Sequence, residues 1–381
     1  MIIPILNSNV GELLVDHKST IPNGILPNGF TGTFHNIEVT DHKNYEKNNE
    51  LYKKVPIGLR FLAIKTKDND NYLIDPVISG YRKVLDIAST NDTTNIKPLT
   101  KALSVVTVAK INGETIYLAG RFIRNEFYFI IGNKKSQILF KNINDIYKYP
   151  VSRMTKIART MYSHFTKCGV LRKNIICREL AEQKYTVICK YYESDKVIHH
   201  QALFHSLSLT QRNHFNNYFN NKLLIGIGIT EEYSPEPYSL TAFNVYEMLR
   251  VLKDTYYFLV PYYSIVDVNY FTYKPLLLRT WLKGVDFYYQ EQNRRVIGMS
   301  DLETYWYKSL KVLKSCSLVP VSNPMLNVNF SFEALNLPDY LKNYYVELAE
   351  SWFKWSKNKH VTRKNFPRML FNFDMYYNRI Y

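Results

Sequence analysis

Residues 106–114, VTVAKINGE, deliver Lys110 at the end of a β-branched run, three residues ahead of Gly113. A lysine in water is a weak nucleophile because its ammonium keeps its proton to about pH 10; burial or neighbouring positive charge lowers that value and frees the amine for covalent attack. A strand end with a nearby glycine, which admits a ligand close to the backbone, is one way to arrange this. Lys-x-x-Gly is a short pattern that recurs by chance, so a surface lysine ahead of a hairpin turn is the plain alternative.

Other chemistry is harder to find. His199 and His200 adjoin Glu193 and Asp195, which raises a metal site. Adjacent residues on a strand point to opposite faces, however, so the two imidazoles are poorly placed to share one ion, and no metal site is expected. The chain contains no HExxH, no GxSxG and no GxxxxGK[ST], and no sequence context singles out a Ser/His/Asp triad. Cys168, Cys177, Cys189 and Cys316 are spaced by 9, 12 and 127, which fits neither a zinc module nor a disulfide framework; they are expected to be reduced and structural.

Lys110 needs strands to hold it. Residues 104–111, 114–123 and 126–132 alternate as three strands, with Asn-Gly and Arg-Asn-Glu as the breaks, and an antiparallel meander is the natural expectation. Before them, residues 1–100 read as a β-rich region with short apolar runs at 58–66 and 71–78 and Pro-Asn-Gly turns at 22–24 and 27–29. After them, residues 150–183 show helical spacing, with Met154, Ile157, Ala158, Met161 and Tyr162 on one face and Arg153, Lys156 and Arg159 offset from it. Strands are expected at 185–192 and 223–230. In the latter, LLIGIGIT lacks the GxGxxG spacing of a dinucleotide turn, and close strand packing explains its glycines. A helix is expected near 240–253, strand-like patterns over 257–289, and a strand running into a helix over 301–314. The last helical piece follows Pro338, with Leu341, Tyr344, Tyr345, Leu348, Trp352 and Trp355 at helical spacing.

The order of these segments resembles the RNA ligase and mRNA-capping covalent nucleotidyltransferase superfamily. VVTVAKINGE looks like its first motif, a strand leading into Lys-x-x-Gly. EFYFIIGNKKSQILF resembles the next strand and polar turn, with Asn133 and Lys134 in that turn; YTVICKYYESDKVIHH is similar to the third motif, WLKGVDFYY to the fourth, and DLETYWYKSLKVLK to the fifth. The resemblance spans roughly residues 100–315. It implies an antiparallel-sheet nucleotidyltransferase core over 101–320; with the β-rich N-terminal region over 1–100 and the helical basic and aromatic segment over 321–381 read from the residues, the expected class is α+β. In that family the lysine attacks the α-phosphate of ATP or GTP, and the nucleotide then passes to a 5′-phosphorylated nucleic-acid end. Carboxylates hold ribose and a divalent metal, and lysines neutralise the α-phosphate.

The departures from that pattern are systematic. Lys190 and Lys283 stand where the third and fourth motifs carry Glu, and Asp301 and Glu303 stand where the fifth carries lysines. Ammonium groups cannot replace the oxygen ligands of Mg²⁺. With Lys110 and Gly113, these residues read as the remnant of a nucleotide pocket, and the expectation is that Lys190 and Lys283 pair with Asp301 and Glu303. A register shifted by a few residues would instead bring in Lys308, Lys311, Lys314 and Glu291. The leading expectation is a catalytically degenerate ligase-like protein, with no cofactor, acting in nucleic-acid binding or as a structural component. One alternative is an active ATP-dependent RNA ligase that forms a lysyl-AMP on Lys110 and uses ATP and Mg²⁺. The other is a virion or assembly protein with no nucleotide pocket.

Charge points the same way on partners. Forty-nine Lys and Arg against 33 Asp and Glu leave +16 over 381 residues, with 32 Tyr and 21 Phe able to stack on unpaired bases. Nucleic acid, RNA ahead of DNA, or an acidic protein subunit is the expected partner. From residue 354 onward, Lys354, Lys357, Lys359, Arg363, Lys364, Arg368 and Arg379 face a single acid, Asp374, with Trp355, Phe366, Phe371, Phe373, Tyr376 and Tyr377 interleaved. That segment reads equally as a nucleic-acid track or as a docking tail with buried rings. The Asn, Ile, Lys and Tyr content also resembles an AT-rich coding bias, typical of some viruses and parasites, which inflates the charge. No stretch reaches eighteen apolar residues and the N-terminus lacks a basic n-region, so membrane insertion is not expected. An intracellular site follows, with packaging in a virion as a further route.

Overall fold

Three β-sheets organise the chain, and the lysine strand is an interior strand of the third. The computed structural model describes residues 9–41, 44, 48, 51, 55–68, 71–80, 85–86, 101–111, 113–192, 223–230, 244–279, 282–292, 294, 296–318, 324–335, 337–362, 365–366, 369–370 and 372–373. The strands are β1 (Leu14–Thr20), β2 (Phe30–Val39), β3 (Arg60–Thr66), β4 (Asn71–Ile78), β5 (Leu85–Asp86), β6 (Ser104–Ala109) and β7 (Glu114–Ile123), followed by β8 (Glu126–Gly132), β9 (Gln137–Phe140), β10 (Thr186–Tyr192), β11 (Leu223–Thr230), β12 (Tyr263–Asp267), β13 (Gly284–Gln290) and β14 (Val296–Glu303). The helices are α1 (Ile143–Tyr147), α2 (Arg153–Thr166), α3 (Val170–Ala181), α4 (Val245–Asp254), α5 (Lys274–Leu277), α6 (Tyr305–Leu318), α7 (Pro324–Ala334) and α8 (Asp339–Ser356). The class is α+β, with antiparallel sheets and a helical C-terminal segment.

The sheet orders are β1-β2-β3-β4, β11-β10-β7-β8-β9 and β12-β6-β13-β14-β5, and every pairing is antiparallel except the short β14–β5 contact. The expected meander is therefore corrected. Its strands form where the alternation puts them, but β6 pairs with β12 and β13, whereas β7 pairs with β8 and β10. Gly113 accounts for the break. It holds φ at +130°, and a Cβ there would lie 2.7 Å from the Tyr191 carbonyl oxygen, so the glycine carries the chain closely past β10 into the second sheet instead of folding it back on β6. The true hairpin joins β7 to β8 through Arg124 and Asn125, whose φ values of 47° and 64° suit the right-handed strand twist at a two-residue turn.

Alternation along β7 buries both faces of the second sheet. Ile116 and Leu118 join a core with Met154, Ile157, Ala158 and Met161 of α2 and with α3 and α4, while Tyr117 and Ala119 join Phe34, Leu62 and Ile64 of the N-terminal sheet. Arg60 binds these two sheets together: its Nε donates to Gln137 Oε1 at 3.0 Å, and Gln137 Nε2 donates to Ser19 Oγ at 2.6 Å. Arg121 does the same from β7, donating Nε–H to Asp75 Oδ2 at 2.5 Å. The predicted apolar face of α2 is the buried one, and the helix starts where Ser152 Oγ accepts from Thr155 N while Thr155 Oγ1 accepts from Ser152 N, a reciprocal cap.

At the C-terminus, α6, α7 and α8 form a separate cluster. Trp352 and Tyr345 lie inside it with Trp306, Leu313 and Phe332, while Leu341, Leu348 and Trp355 pack at its margin and Tyr344 is left outward at 43% exposure. All four cysteines are free, with Cys168, Cys189 and Cys316 buried. Among the described residues no helix is long and apolar enough to cross a membrane.

Candidate functional site

Strand alternation assembles the site before any side chain is inspected. On β13, Val285, Phe287 and Tyr289 pack with Leu302 of β14 and with Leu277 of α5, so Asp286 on β13 and Asp301 and Glu303 on β14 belong to the opposite face. Register then sets Asp286 directly across from Asp301, and Gly284 across from Glu303. Two carboxylates facing each other across antiparallel strands repel unless a cation sits between them.

Lys110 is that cation. It follows the last residue of β6, and its backbone N–H donates to the Gly284 carbonyl at 2.9 Å. Its ammonium donates to Asp301 Oδ2 and lies 3.7 Å from Asp286 Oδ1, with the lysine side chain 14% exposed and the two carboxylates 29% (Asp286) and 20% (Asp301). Gly284 makes the approach possible: a Cβ there would lie 2.1 Å from Leu302 O and 3.0 Å from Lys110 Cδ. The lysine stem crosses the strand where β13 has no side chain.

The electrostatics follow from this contact. Burial works to lower the Lys110 pKa, but Asp286 and Asp301 outweigh it and the net shift is upward, away from the neutral amine a nucleophile needs. Burial raises Asp286 to about 6, with Lys110 opposing the rise and Asp301 adding to it. Lys190, in register with Thr115, is a different case. Its ammonium donates to Thr115 Oγ1 at 2.6 Å, and burial, reinforced by Lys283 and Lys110 and opposed by Asp286, brings its pKa down to about 8. Lys283 is also lowered, by burial and then by Lys110. Its backbone is fixed by Thr304, whose N–H donates to the Lys283 carbonyl at 3.2 Å, and its ammonium stands 5.4 Å from the centre of the Tyr307 ring.

The expected remnant residues Lys110, Lys190, Lys283, Asp301 and Glu303 thus act on one another electrostatically, but the expected pairing is corrected. Asp301 is taken by Lys110, and Glu303 by Lys311 of α6 at 2.5 Å, so neither carboxylate pairs with Lys190 or Lys283. Side-chain direction decides this, since Lys110 emerges on the carboxylate-bearing face of the third sheet, whereas Lys190 belongs to the second. Lys311 enters as a partner of Glu303, but Glu291 does not join the cluster. It follows Gln290, at the end of β13 that pairs with Ser104, about 20 Å along the strand from Gly284.

Asp286 was not among the expected site residues. The available signal was one acid inside the otherwise apolar and aromatic run GVDFYYQ. Gly113 packs against β10, its hypothetical Cβ 3.4 Å from Lys190 Cβ, so the space beside it is occupied by protein. Asn133 and Lys134 have other partners. Asn133 Oδ1 accepts from Lys135 N and Ser136 N, and its amide donates to Glu114 Oε1 at 2.6 Å; Lys134 pairs with Glu38 of the N-terminal sheet at 3.3 Å.

In the C-terminal segment, Lys354, Lys357 and Lys359 are exposed, and Lys359 Nζ lies 3.0 Å from the centre of the Trp355 ring. Phe366 and Phe373 are buried against Trp352 and are core rings, unavailable for stacking on bases. Arg363, Lys364, Arg368, Arg379, Phe371, Tyr376 and Tyr377 lie outside the described residues, as do Glu193, Asp195, His199 and His200.

A divalent metal, which the family resemblance would imply, does not fit this donor set. Asp286 and Asp301 converge on an ammonium, and among the described residues no three His, Cys, Asp or Glu side chains are grouped to hold an ion.

No protein-family model matches the chain, and no curated protein matches it. Among solved structures, two forms of an archaeal ATP-dependent RNA ligase align over 91% of this chain and 75% and 74% of their own, each with a TM-score of 0.47, at 8% and 9% identity. An RNA ligase of Naegleria gruberi aligns over 75% of this chain and 88% of its own, with a TM-score of 0.33 and 9% identity. At these values the likenesses assign no role to any residue.

Proposed function

We propose that this chain is an RNA ligase-like protein that has lost nucleotidyl transfer and serves as a nucleic-acid-binding or structural component. The observation that carries the reading is the fate of Lys110: the residue in the position of the attacking lysine is held as an ammonium between two carboxylates. An amine in that state has no free electron pair to attack an α-phosphate, and the upward shift works against losing the proton. The motif order in the sequence and the +16 charge support the ligase-like and polyanion-binding parts of the reading.

The test is incubation with radiolabelled ATP or GTP and a divalent metal, followed by denaturing electrophoresis, for the wild type and Lys110→Ala. No covalent label is expected in either. A label present in the wild type and lost in the variant overturns the proposal in favour of an active ligase. Binding of single-stranded RNA that weakens steeply with salt is expected in parallel, and a chain that neither labels nor binds RNA belongs to the assembly-protein class.

A further inference from the structure

Four ammonium groups meet three carboxylates around the end of β6, and the contacts between them are unequal. Asp301 and Asp286 both face Lys110, and Glu303 is held by Lys311. Lys190 and Lys283 are left over: among the described residues neither has a carboxylate oxygen within 4.0 Å, although both side chains are largely withdrawn from water. Lys190 has one hydroxyl, Thr115 Oγ1, as its partner, and that bond uses one of its three N–H donors. Lys283 has the face of Tyr307, which it shares with Lys311 at 5.0 Å. Withdrawing two like charges from water near each other is costly unless an anion joins them.

We infer that Lys190 and Lys283 are the two arms of a metal-independent binding site for a phosphate monoester dianion. A dianion between them would take up the unused N–H donors of Lys190 and neutralise both arms with charge-assisted hydrogen bonds. It would do so where the family pattern would have carboxylates and a metal ion, so the charge reversal exchanges a cation site for an anion site. The downward shifts at both lysines, each worsened by a neighbouring ammonium, are what such a pair shows before its anion arrives. This deepens the reading proposed above for the same group of charges and rests on it in one respect: Asp286 and Asp301 must stay on Lys110, where they cannot compete for the two arms.

Calorimetric titration of the full chain with inorganic phosphate in the presence of EDTA tests the site. Binding is expected without metal. Lys190→Met and Lys283→Met should each weaken it about tenfold or more, and Lys190→Arg, which keeps the charge, should retain most of it. Competition by ATP and by one oligoribonucleotide carrying either a 5′-phosphate or a 5′-hydroxyl identifies the source. Preference for the phosphorylated end makes the ligand a nucleic-acid terminus, and preference for ATP makes it a nucleotide.

A second measurement needs no variant. Sulfate remains a dianion across the range in which Lys190 titrates, so near pH 8 its binding should draw about half a proton onto Lys190, which is flanked by Lys110, Lys283 and Asp286. Titrations in two buffers of different ionisation enthalpy read this number. Absence of phosphate binding, binding unchanged in both methionine variants, or sulfate binding without proton uptake overturns the inference. A covalent nucleotide label on Lys110 would instead overturn the proposed function, so the two failures are distinct.

Discussion

The contact between Lys110 and Asp286 looks like a stabilising ion pair, yet the electrostatics of the site predict that removing the Asp286 charge stabilises the protein. Asp286 rises from 3.8 to about 6 even with the Lys110 ammonium beside it, because burial and the facing Asp301 outweigh that attraction. A carboxyl whose pKa is raised on folding contributes its full stability below the unfolded value near 4 and loses it as pH climbs through the folded value near 6. At about 1.4 kcal/mol for each tenfold change, the rise corresponds to about 3 kcal/mol lost above pH 6. With the side chain 29% exposed, solvent screening reduces this to about 2 kcal/mol.

Asp286→Asn has the shape of the protonated acid without the charge. It should therefore be more stable than wild type by about 2 kcal/mol near pH 8, and about equal to it near pH 4. Urea unfolding followed by circular dichroism at both pH values measures the difference, and the thermal midpoint near pH 8 should rise by a few degrees. If the asparagine variant is instead less stable than wild type near pH 8, the carboxylate is a net contributor and the site is an ordinary ion pair.

Lys110→Met leaves two facing carboxylates with no cation between them, and should cost about 3 kcal/mol near neutral pH, with part of it recovered at lower pH as Asp286, whose pKa burial already raises, takes up a proton; the same urea titrations read it. Lys190 has its pKa lowered from 10.5 to about 8, so stability present above the unfolded value is lost as pH falls through 8. Lys190→Met should on that account gain about 2 kcal/mol at neutral pH after losing the bond to Thr115, and nothing near pH 10. A melting curve for Lys190→Met that lies below wild type at neutral pH contradicts this. Gly284→Ala would bring a Cβ to 2.1 Å from the Leu302 carbonyl oxygen and against the Lys110 stem, and should lower stability by about 3 kcal/mol in thermal melts.

Much of the fold was legible because its elements announce themselves locally. The alternation in ETIYLAGRFI and EFYFIIG gives β7 and β8, and the spacing of Met154, Ile157, Ala158 and Met161 gives the buried face of α2. Pairing was less legible. An Asn-Gly between two alternating runs is a strong hairpin signal, but at residues 112–113 it was overridden by tertiary contacts: β6 finds its partners in β12 and β13, more than 150 residues later, and Gly113 answers to the backbone of β10. No local pattern carries that information.

The site divides along the same line. Only the resemblance of the segment order to the ligase motifs grouped Lys110, Lys190, Lys283, Asp301 and Glu303 in the sequence, since no local pattern links strands so far apart in the chain. Which charge meets which depends on register and face. Register puts Asp286 opposite Asp301, and face puts both under Lys110 and leaves Lys190 on a different sheet. A strand running into a helix over 301–314 was expected, but that succession alone did not say that Lys311, about two turns into α6, reaches back to Glu303 at the end of β14. The reversal of charge read from the sequence therefore leads to a different outcome from the one expected. Asp301 and Glu303 neutralise Lys110 and Lys311, and Lys190 and Lys283 are left without carboxylate partners among the described residues, which is the arrangement an incoming anion requires.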